Sequence, residues 1–219
     1  MSELPEIALV GCGYWGKNLC RNFNALGALS CVVDSTDSGQ AMARKIAPEI
    51  PVGSSFEDAL DNPSVRAVAL ATPAETHSGM AIRAMESGKD VFVEKPMALT
   101  LDDALRMKEV AVRAGRILMV GHLLEFHPAI LQLRDLISNG TLGKVNYVYS
   151  NRLNFGKVRT EENALWSFAP HDVAVILRLM GKSPVEVSAT GGSFITKGLA
   201  DTTVSNLLFA DESRAHIFV

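Results

Sequence analysis

The fold of this chain is decided by residues 6–18, which read EIALVGCGYWGKN. The apolar run Ile7 to Val10 is typical of a buried strand, and the glycines after it, Gly11, Gly13 and Gly16, have the spacing G-x-G-x-x-G. In a strand–turn–helix unit, the first glycine allows a sharp turn and the second lets a pyrophosphate approach the backbone. The third lets the helix pack closely against the strand. We therefore predict a dinucleotide-binding unit, with the phosphates at the amino end of the following helix.

Asp34 strengthens this interpretation, because the glycine spacing alone is weak evidence. Asp34 ends a second apolar run, Leu29 to Val33, roughly 20 residues after the glycines. A carboxylate at that place can accept hydrogen bonds from the adenosine ribose. Ser35 and Thr36 follow it, and neither is an arginine that could hold a 2′-phosphate, so the pattern favours NAD over NADP. The alternative is an aspartate that only begins a turn.

Composition narrows the class of protein. The 219 residues are 47% hydrophobic and carry a net charge of −3, which fits one large or two modest globular domains and argues against nucleic acid as the main partner. The first residues do not resemble a signal peptide, and we expect no membrane span. Cys12, Cys20 and Cys31 form no C-x-x-C pair, which indicates reduced thiols in a cytoplasmic protein. Neither cysteines nor histidines have metal-site spacing, so no metal is expected.

Helical and apolar segments alternate through the first half of the chain, which predicts an α/β, doubly wound parallel sheet of the Rossmann type. Three of its strands end in polar residues, at Thr72-Pro73, Glu94-Lys95-Pro96 and Gly121-His122. Strand carboxyl ends are where such sheets bind ligands. We therefore expect a ligand site at these three strand ends.

The pattern changes after Gly121. Long, partly alternating segments over 145–154, 185–190, 202–209 and 214–219 predict an α+β domain with an open, mostly antiparallel sheet. A helix is predicted over about His171 to Met180. We assign 1–121 to a dinucleotide-binding domain and 122–219 to a substrate-binding and oligomerisation domain. The chain stops inside a predicted strand, whose edge would be exposed; either another chain covers it or the polypeptide continues, and we expect the second.

Two residues are candidates for catalysis. A lysine at a strand end, Lys95, can donate to a substrate oxygen and hold the reacting carbon near a nicotinamide, and Glu94 beside it can bind cofactor ribose. The alternative is a solvated Glu–Lys pair. His171 can take a proton from an alcohol while hydride leaves the carbon; alternatively, it starts a helix and bonds to backbone.

The remaining candidates concern binding. His77 contacts the cofactor or only caps a helix, and His122 could face the nicotinamide. Arg152, Lys157 and Arg159 are close together in an acidic chain and would suit a phosphorylated or acidic sugar, although a solvated positive loop gives the same pattern.

Together these motifs resemble the Gfo/Idh/MocA family, named for glucose–fructose oxidoreductase and inositol dehydrogenase. The resemblance covers nearly the whole chain, and Glu94-Lys95-Pro96 is its most specific part. It implies an N-terminal domain that binds NAD or NADP and a C-terminal sheet that carries the substrate and mediates homodimers or homotetramers. It also implies that Lys95 is the catalytic lysine and His171 the acid/base. Many members have an aspartate four residues before the histidine, where this chain has Ser167, so the assignment of the base depends on His171.

Within the family, residues 151–156 and 165–172 look like the branch that oxidises the 3-hydroxyl of nucleotide-linked amino sugars of the UDP-N-acetylglucosamine type, for surface polysaccharides. Alternatives are an NAD-recycling lyase or glycosidase, a non-catalytic dinucleotide-binding regulator, or a dehydrogenase of inositol or free sugar. The predicted substrate contacts are Lys95, Arg152, Asn154, Lys157, Arg159 and His171. The predicted cofactor contacts are Gly11, Gly13, Tyr14, Trp15, Gly16, Asp34, Ser35, Thr72, Pro73, His77, Glu94, Lys95 and His122.

Overall fold

The computed structural model of the protein describes residues 4–153 and 162–219. These residues form two compact units, one ending at Gly121 and the other beginning at His122. No helix in the described part of the chain is long and apolar enough to cross a membrane.

The sheet of the first unit is parallel throughout and has the strand order β3-β2-β1-β4-β5-β6. Its strands are β1 Ile7–Val10, β2 Leu29–Val33, β3 Val52–Gly53, β4 Ala67–Leu70, β5 Asp90–Val93 and β6 Leu118–Val120. This order confirms the predicted Rossmann sheet.

The register of this sheet places the strand ends in one row. Val10 is the register partner of both Val33 and Leu70, Leu70 is the partner of Val93, and Val93 is the partner of Val120. Each of these residues is the last of its strand. The loops that follow the strands therefore all begin at the same edge of the sheet, as parallel strands require.

Helices cover both faces of this sheet. They are α1 Gly16–Ala25, α2 Asp37–Ile46, α3 Phe56–Asp61, α4 Ala74–Glu86 and α5 Leu101–Ala114. Successive side chains of β1 enter two different buried clusters, with Ala8 and Val10 in one and Leu9 in the other. A strand buried on both sides reads as a continuous apolar run, which is why β1 was recognisable from its sequence.

The second unit contains a four-stranded sheet with the order β7-β10-β9-β8 among the described residues. Its strands are β7 Tyr147–Asn151, β8 Glu186–Gly192, β9 Thr202–Leu208 and β10 Arg214–Phe218. The pairs β10–β9 and β9–β8 are antiparallel, which confirms the mostly antiparallel sheet, whereas β10 and β7 are parallel. The expectation that the last strand forms an exposed edge is wrong, because β10 has a neighbour on each side. Alternation in a sequence indicates a strand but not its position in the sheet.

The helices of the second unit are α6 Pro128–Ser138 and α7 Ala164–Met180, and a 3₁₀ turn covers Leu123–Phe126. Helix α7 begins two turns earlier than predicted. Its first turn is capped by Asn163, whose side chain accepts a hydrogen bond from Trp166 N at 3.0 Å. Pro170 lies inside the helix, and an interior proline is a stop signal in sequence rules, so the prediction began only after it.

Candidate active site

The glycine turn after β1 is built so that two of its three glycines cannot be replaced. Gly11 has φ +91°, and a Cβ there would lie 2.8 Å from Ala71 O. A Cβ on Gly16 would lie 2.0 Å from the carbonyl oxygen of Gly11. Gly13 is different, because no heavy atom of the described residues outside its own neighbourhood lies within 4 Å of where its Cβ would be. The open space is the one that a pyrophosphate close to the backbone requires.

Asp34 is a nearly buried carboxylate, 8% exposed, at the end of β2. Its Oδ2 accepts a hydrogen bond from Cys12 N at 2.7 Å, and its Oδ1 accepts from Thr36 N at 2.8 Å and Thr36 Oγ1 at 2.7 Å. Burial raises the pKa of Asp34, but these hydrogen bonds outweigh burial and the pKa lies below its usual value. The carboxyl group of Asp34 is therefore ionised at neutral pH.

Two residues that support Asp34 were not recognised from the sequence, one that donates to its carboxylate and one that leaves space for it. Thr36 both donates to Asp34 and caps α2, because its Oγ1 accepts from Gly39 N at 3.1 Å. A Cβ on Gly39 would lie 2.1 Å from the Asp34 carboxyl group. The signal was present in the turn-forming run DSTDSG over 34–39.

Glu94 joins two loops at the same edge of the sheet. Its Oε1 accepts a hydrogen bond from the indole Nε1 of Trp15 at 2.7 Å, and its Oε2 accepts from Lys95 N at 3.3 Å. Burial raises the pKa of Glu94 despite these bonds. A Cβ on Gly121 would lie 3.0 Å from the carboxyl group, so the glycine after β6 leaves space for Glu94, which the sequence did not reveal.

His77 lies in the first turn of α4 and is 1% exposed. Its Nδ1 lies 2.9 Å from Pro96 O and its Nε2 lies 2.9 Å from Thr72 O. A carbonyl oxygen only accepts, so at least one of these contacts is an N–H···O bond. Both ring nitrogens thus contact the loops after β4 and β5. A role in bracing these loops fits this geometry, and the predicted cofactor contact stays a prediction.

Lys95 is half-buried at the end of β5, and its peptide bond to Pro96 is cis. Val93, two residues before it, is in register with Leu70, which is in register with Val10 before the glycine turn. The row of strand ends therefore brings Lys95 to the edge that carries Gly11 and Asp34. These residues fit a dinucleotide, since the row combines an open glycine turn, an ionised acid and an ammonium group.

His171, in the second unit, lies inside α7 and is half-buried. The expected alternative of a helix-start histidine is therefore wrong. Ser167 is 3% exposed and lies one turn earlier in the same helix. His122 precedes the 3₁₀ turn.

Arg152 is held by an acidic neighbour of His171. Its Nε donates to Asp172 Oδ2 at 2.7 Å and its Nη2 donates to Asp172 Oδ1 at 3.2 Å. The other predicted substrate residues, Asn154, Lys157 and Arg159, lie outside the described residues. Among residues 4–153 and 162–219, no group of three or more His, Cys, Asp or Glu side chains could hold a metal ion.

Both units of the chain match models of known protein families. The model of the GFO_IDH_MocA oxidoreductase family, NAD-binding Rossmann fold, matches residues 6–122, and that of the GFO/IDH/MocA C-terminal domain matches residues 130–219. This chain belongs to the Gfo/Idh/MocA oxidoreductase family. Its first unit is an NAD-binding Rossmann domain, so the predicted cofactor is confirmed.

Three Gfo/Idh/MocA relatives show the range of activities in the family. The chain is 31% identical to 2,7-anhydro-N-acetylneuraminate hydratase of Mediterraneibacter gnavus, over 93% of this chain and 57% of that protein. It is 34% identical to scyllo-inositol 2-dehydrogenase (NAD(+)) of Bacillus subtilis, over 67% of this chain and 44% of that protein. The crystal structure of UDP-N-acetylglucosamine 3-dehydrogenase GnnA from Acidithiobacillus ferrooxidans aligns with a TM-score of 0.88 and 26% identity, over 99% of this chain and 69% of that one. The chain spans about half the length of the hydratase and of the scyllo-inositol dehydrogenase.

Proposed function

We propose that this protein is an NAD-dependent dehydrogenase that oxidises a secondary alcohol of a sugar, the 3-hydroxyl of a nucleotide-linked amino sugar or uronate. The observation that carries the proposal is the register of the first sheet. It places Lys95, an ammonium group able to contact a substrate oxygen, in the same row of strand ends as the glycine turn and Asp34.

The residues of the first unit hold the cofactor. The backbone of the glycine turn receives the pyrophosphate at the amino end of α1, and Asp34 accepts hydrogen bonds from the adenosine ribose. Glu94, already fixed by the indole of Trp15, accepts from a ribose hydroxyl. When bound, NAD supplies the acceptor for hydride.

Two residues act on the substrate. Lys95 donates to the reacting oxygen and stabilises the negative charge that develops on it. His171 accepts the proton of the hydroxyl group. Ser167 cannot carry a charge in place of an aspartate, so the proton transfer depends on His171 alone.

The substrate class is supported by the similarity to the structure of GnnA, a UDP-N-acetylglucosamine 3-dehydrogenase. A nucleotide diphosphate or a uronate would suit the basic side chains of Lys157 and Arg159, which are close together in the sequence, with the amide of Asn154 a few residues before them. Inositol and free sugars remain the alternative substrates, since scyllo-inositol 2-dehydrogenase is also a relative.

A second candidate function has its own support. The relative that covers 93% of this chain at 31% identity is a hydratase, and hydration changes no net oxidation state. A protein that oxidises its substrate, eliminates or adds water and then re-reduces it would recycle its NAD. This candidate predicts substrate turnover with no accumulation of reduced nicotinamide.

The test is a panel of UDP-N-acetylglucosamine, its uronate, and myo- and scyllo-inositol, each mixed with NAD and the protein. We expect the absorbance of reduced nicotinamide to rise with a nucleotide sugar, and Lys95→Met and His171→Gln to reduce the rate by about 100-fold or more. Lys45→Met and His127→Gln are the matched controls. Reduction with an inositol alone would overturn the substrate class, and product without reduced nicotinamide would favour the recycling candidate.

The proposed assembly is a homodimer or homotetramer through the sheet of the second unit. One face of that sheet carries the alternate residues Tyr147 and Tyr149 of β7, both more than half exposed. The Tyr149 ring stacks on His216 of β10, with 5.1 Å between ring centroids. Rigid exposed aromatic rings on an open sheet face are typical of interfaces.

A further inference from the structure

The helix that carries His171 has a weak point at the residue before it. Helix α7 runs from Ala164 to Met180 with Pro170 in its interior. Proline has no backbone N–H, so residue 170 cannot donate to the carbonyl of Trp166, and its ring crowds that carbonyl. The turn that presents His171 is therefore held by fewer backbone hydrogen bonds than an uninterrupted helix would provide.

The residue after His171 is fastened to a different element. Asp172 is 6% exposed, and its Oδ1 accepts from Ser150 Oγ at 2.7 Å and from Arg152 Nη2 at 3.2 Å. Its Oδ2 accepts from Arg152 Nε at 2.7 Å. Ser150 lies on β7, and Arg152 follows the last residue of that strand. Arg152 N in turn donates to Phe218 O at 2.9 Å, which fixes the backbone of Arg152 to β10.

These contacts form a clamp, consisting of Ser150, Arg152 and Asp172, that crosses from the sheet to the helix beside the proline. A two-pronged contact between a guanidinium and a carboxylate fixes orientation as well as distance. Because Asp172 is the residue next to His171, the clamp sets the position of the turn at the point where the helical hydrogen bonds are interrupted.

We propose that Arg152 and Asp172 are positioning residues that hold the His171 imidazole in place for proton transfer. In this assignment the guanidinium of Arg152 binds the carboxylate of Asp172, and other groups bind the substrate anion. The inference rests on the role of His171 in the proposed function.

Steady-state kinetics separates positioning from substrate binding. If the clamp positions His171, Arg152→Met and Asp172→Asn each lower kcat by about 10- to 100-fold and change KM by less than about threefold, since misplacing a catalytic group acts on the chemical step. The kcat of the double variant is then no lower than that of the less active single variant, because both substitutions break the same contact. Arg152→Lys, which keeps the charge but loses the fork, retains intermediate activity.

A second readout does not depend on turnover. The chain has five histidines, so the Cε1–H signals of the rings can be resolved by NMR and His171 assigned with His171→Gln. We expect the His171 signal to move or broaden in Arg152→Met and Asp172→Asn, and the His77 signal to stay. Arg134→Met is the control, since Arg134 pairs with Asp135 at the surface of α6.

Removal of one partner leaves a lone buried charge that can prevent folding. The double variant Arg152→Met/Asp172→Asn removes both charges and is measured in the same way. A His171 signal unchanged from the wild type in that variant would overturn the proposal, as would a raised KM with unchanged kcat in Arg152→Met. If His171→Gln retains full activity but the clamp variants still displace the His171 signal, the proposed function fails while the structural clamp stands.

Discussion

At the scale of single residues, two acids that follow strands of the first sheet, Asp34 and Glu94, have opposite pKa shifts because they receive different numbers of hydrogen bonds. Asp34 receives hydrogen bonds from Cys12 N, Thr36 N and Thr36 Oγ1, which outweigh its burial. Glu94 receives one from the Trp15 indole and a long one from Lys95 N, and burial prevails. A buried carboxylate needs several donors to remain charged at no cost.

We predict that Glu94→Gln stabilises the protein without NAD and weakens its binding of NAD. Burial raises the folded-state pKa of Glu94, so the carboxylate lowers the free energy of unfolding fully above that pKa, and this effect disappears as the pH falls to the ordinary pKa of a glutamate. Glutamine keeps an oxygen that can accept from Trp15 and carries no charge. Urea unfolding at neutral pH measures the expected gain, and Trp15 fluorescence titration with NAD measures the loss.

The pH dependence supplies the control for this variant. The difference in unfolding free energy between Glu94→Gln and wild type is expected to shrink as the pH falls through the raised pKa of Glu94, because the wild-type carboxyl group is then neutral. A Glu94→Gln protein that is less stable than wild type at neutral pH would contradict this account.

The strand-end positions of three candidate site residues were predictable because each residue follows a buried strand. Gly11, Asp34 and Glu94 were found by their position after an apolar run, and the parallel sheet then places them together. Thr36, Gly39 and Gly121 were missed because their importance lies in contacts or space around a neighbour's carboxyl group. Such contacts join residues distant in sequence, and no local pattern records them.

At the scale of elements, α7 is where sequence rules and structure disagree. Proline is unfavourable inside a helix, so the sequence predicts a helix boundary at Pro170. The helix nevertheless extends on both sides of Pro170, because Asn163 caps its start and its buried residues pack against the sheet. Ile176 and Met180 share a core with Leu207 and Ile217. Tertiary packing thus overrides a local preference, and it places His171 inside the helix.

We predict that Pro170→Ala raises the free energy of unfolding by about 1–3 kcal/mol, because an interior proline costs up to ~3 kcal/mol relative to alanine. Thermal or urea unfolding checks the gain. Pro128→Ala is the matched control, since Pro128 lies in the first turn of α6, where proline is favoured, and no gain is expected. An unchanged or lowered stability of Pro170→Ala would show that the proline fits the helix without cost.

At the scale of the whole molecule, the sequence predicted two kinds of sheet but not the strand order of the second. Alternation shows which residues share a face, whereas the central position of β10 is set by pairing with β7, distant in the chain. The open face of that sheet underlies the proposed assembly.

We predict that Tyr149→Glu converts the protein to monomers in light scattering after size exclusion. A charge placed among the exposed rings of this face opposes burial in an interface. Val112→Glu is the control, since Val112 is exposed on α5 of the first unit. A wild-type protein that is already monomeric would contradict the proposed assembly, as would a Tyr149→Glu protein with unchanged mass.

We propose that this family member moves hydride from a sugar carbon to NAD. The most direct measurement uses UDP-N-acetylglucosamine with deuterium at C3, mixed with NAD and the protein, followed by mass spectrometry of the released nicotinamide cofactor. We expect reduced cofactor that is one deuterium heavier than unlabelled reduced cofactor, in an amount that matches the 3-keto product. A product that forms while the released cofactor stays oxidised and unlabelled would contradict the proposal.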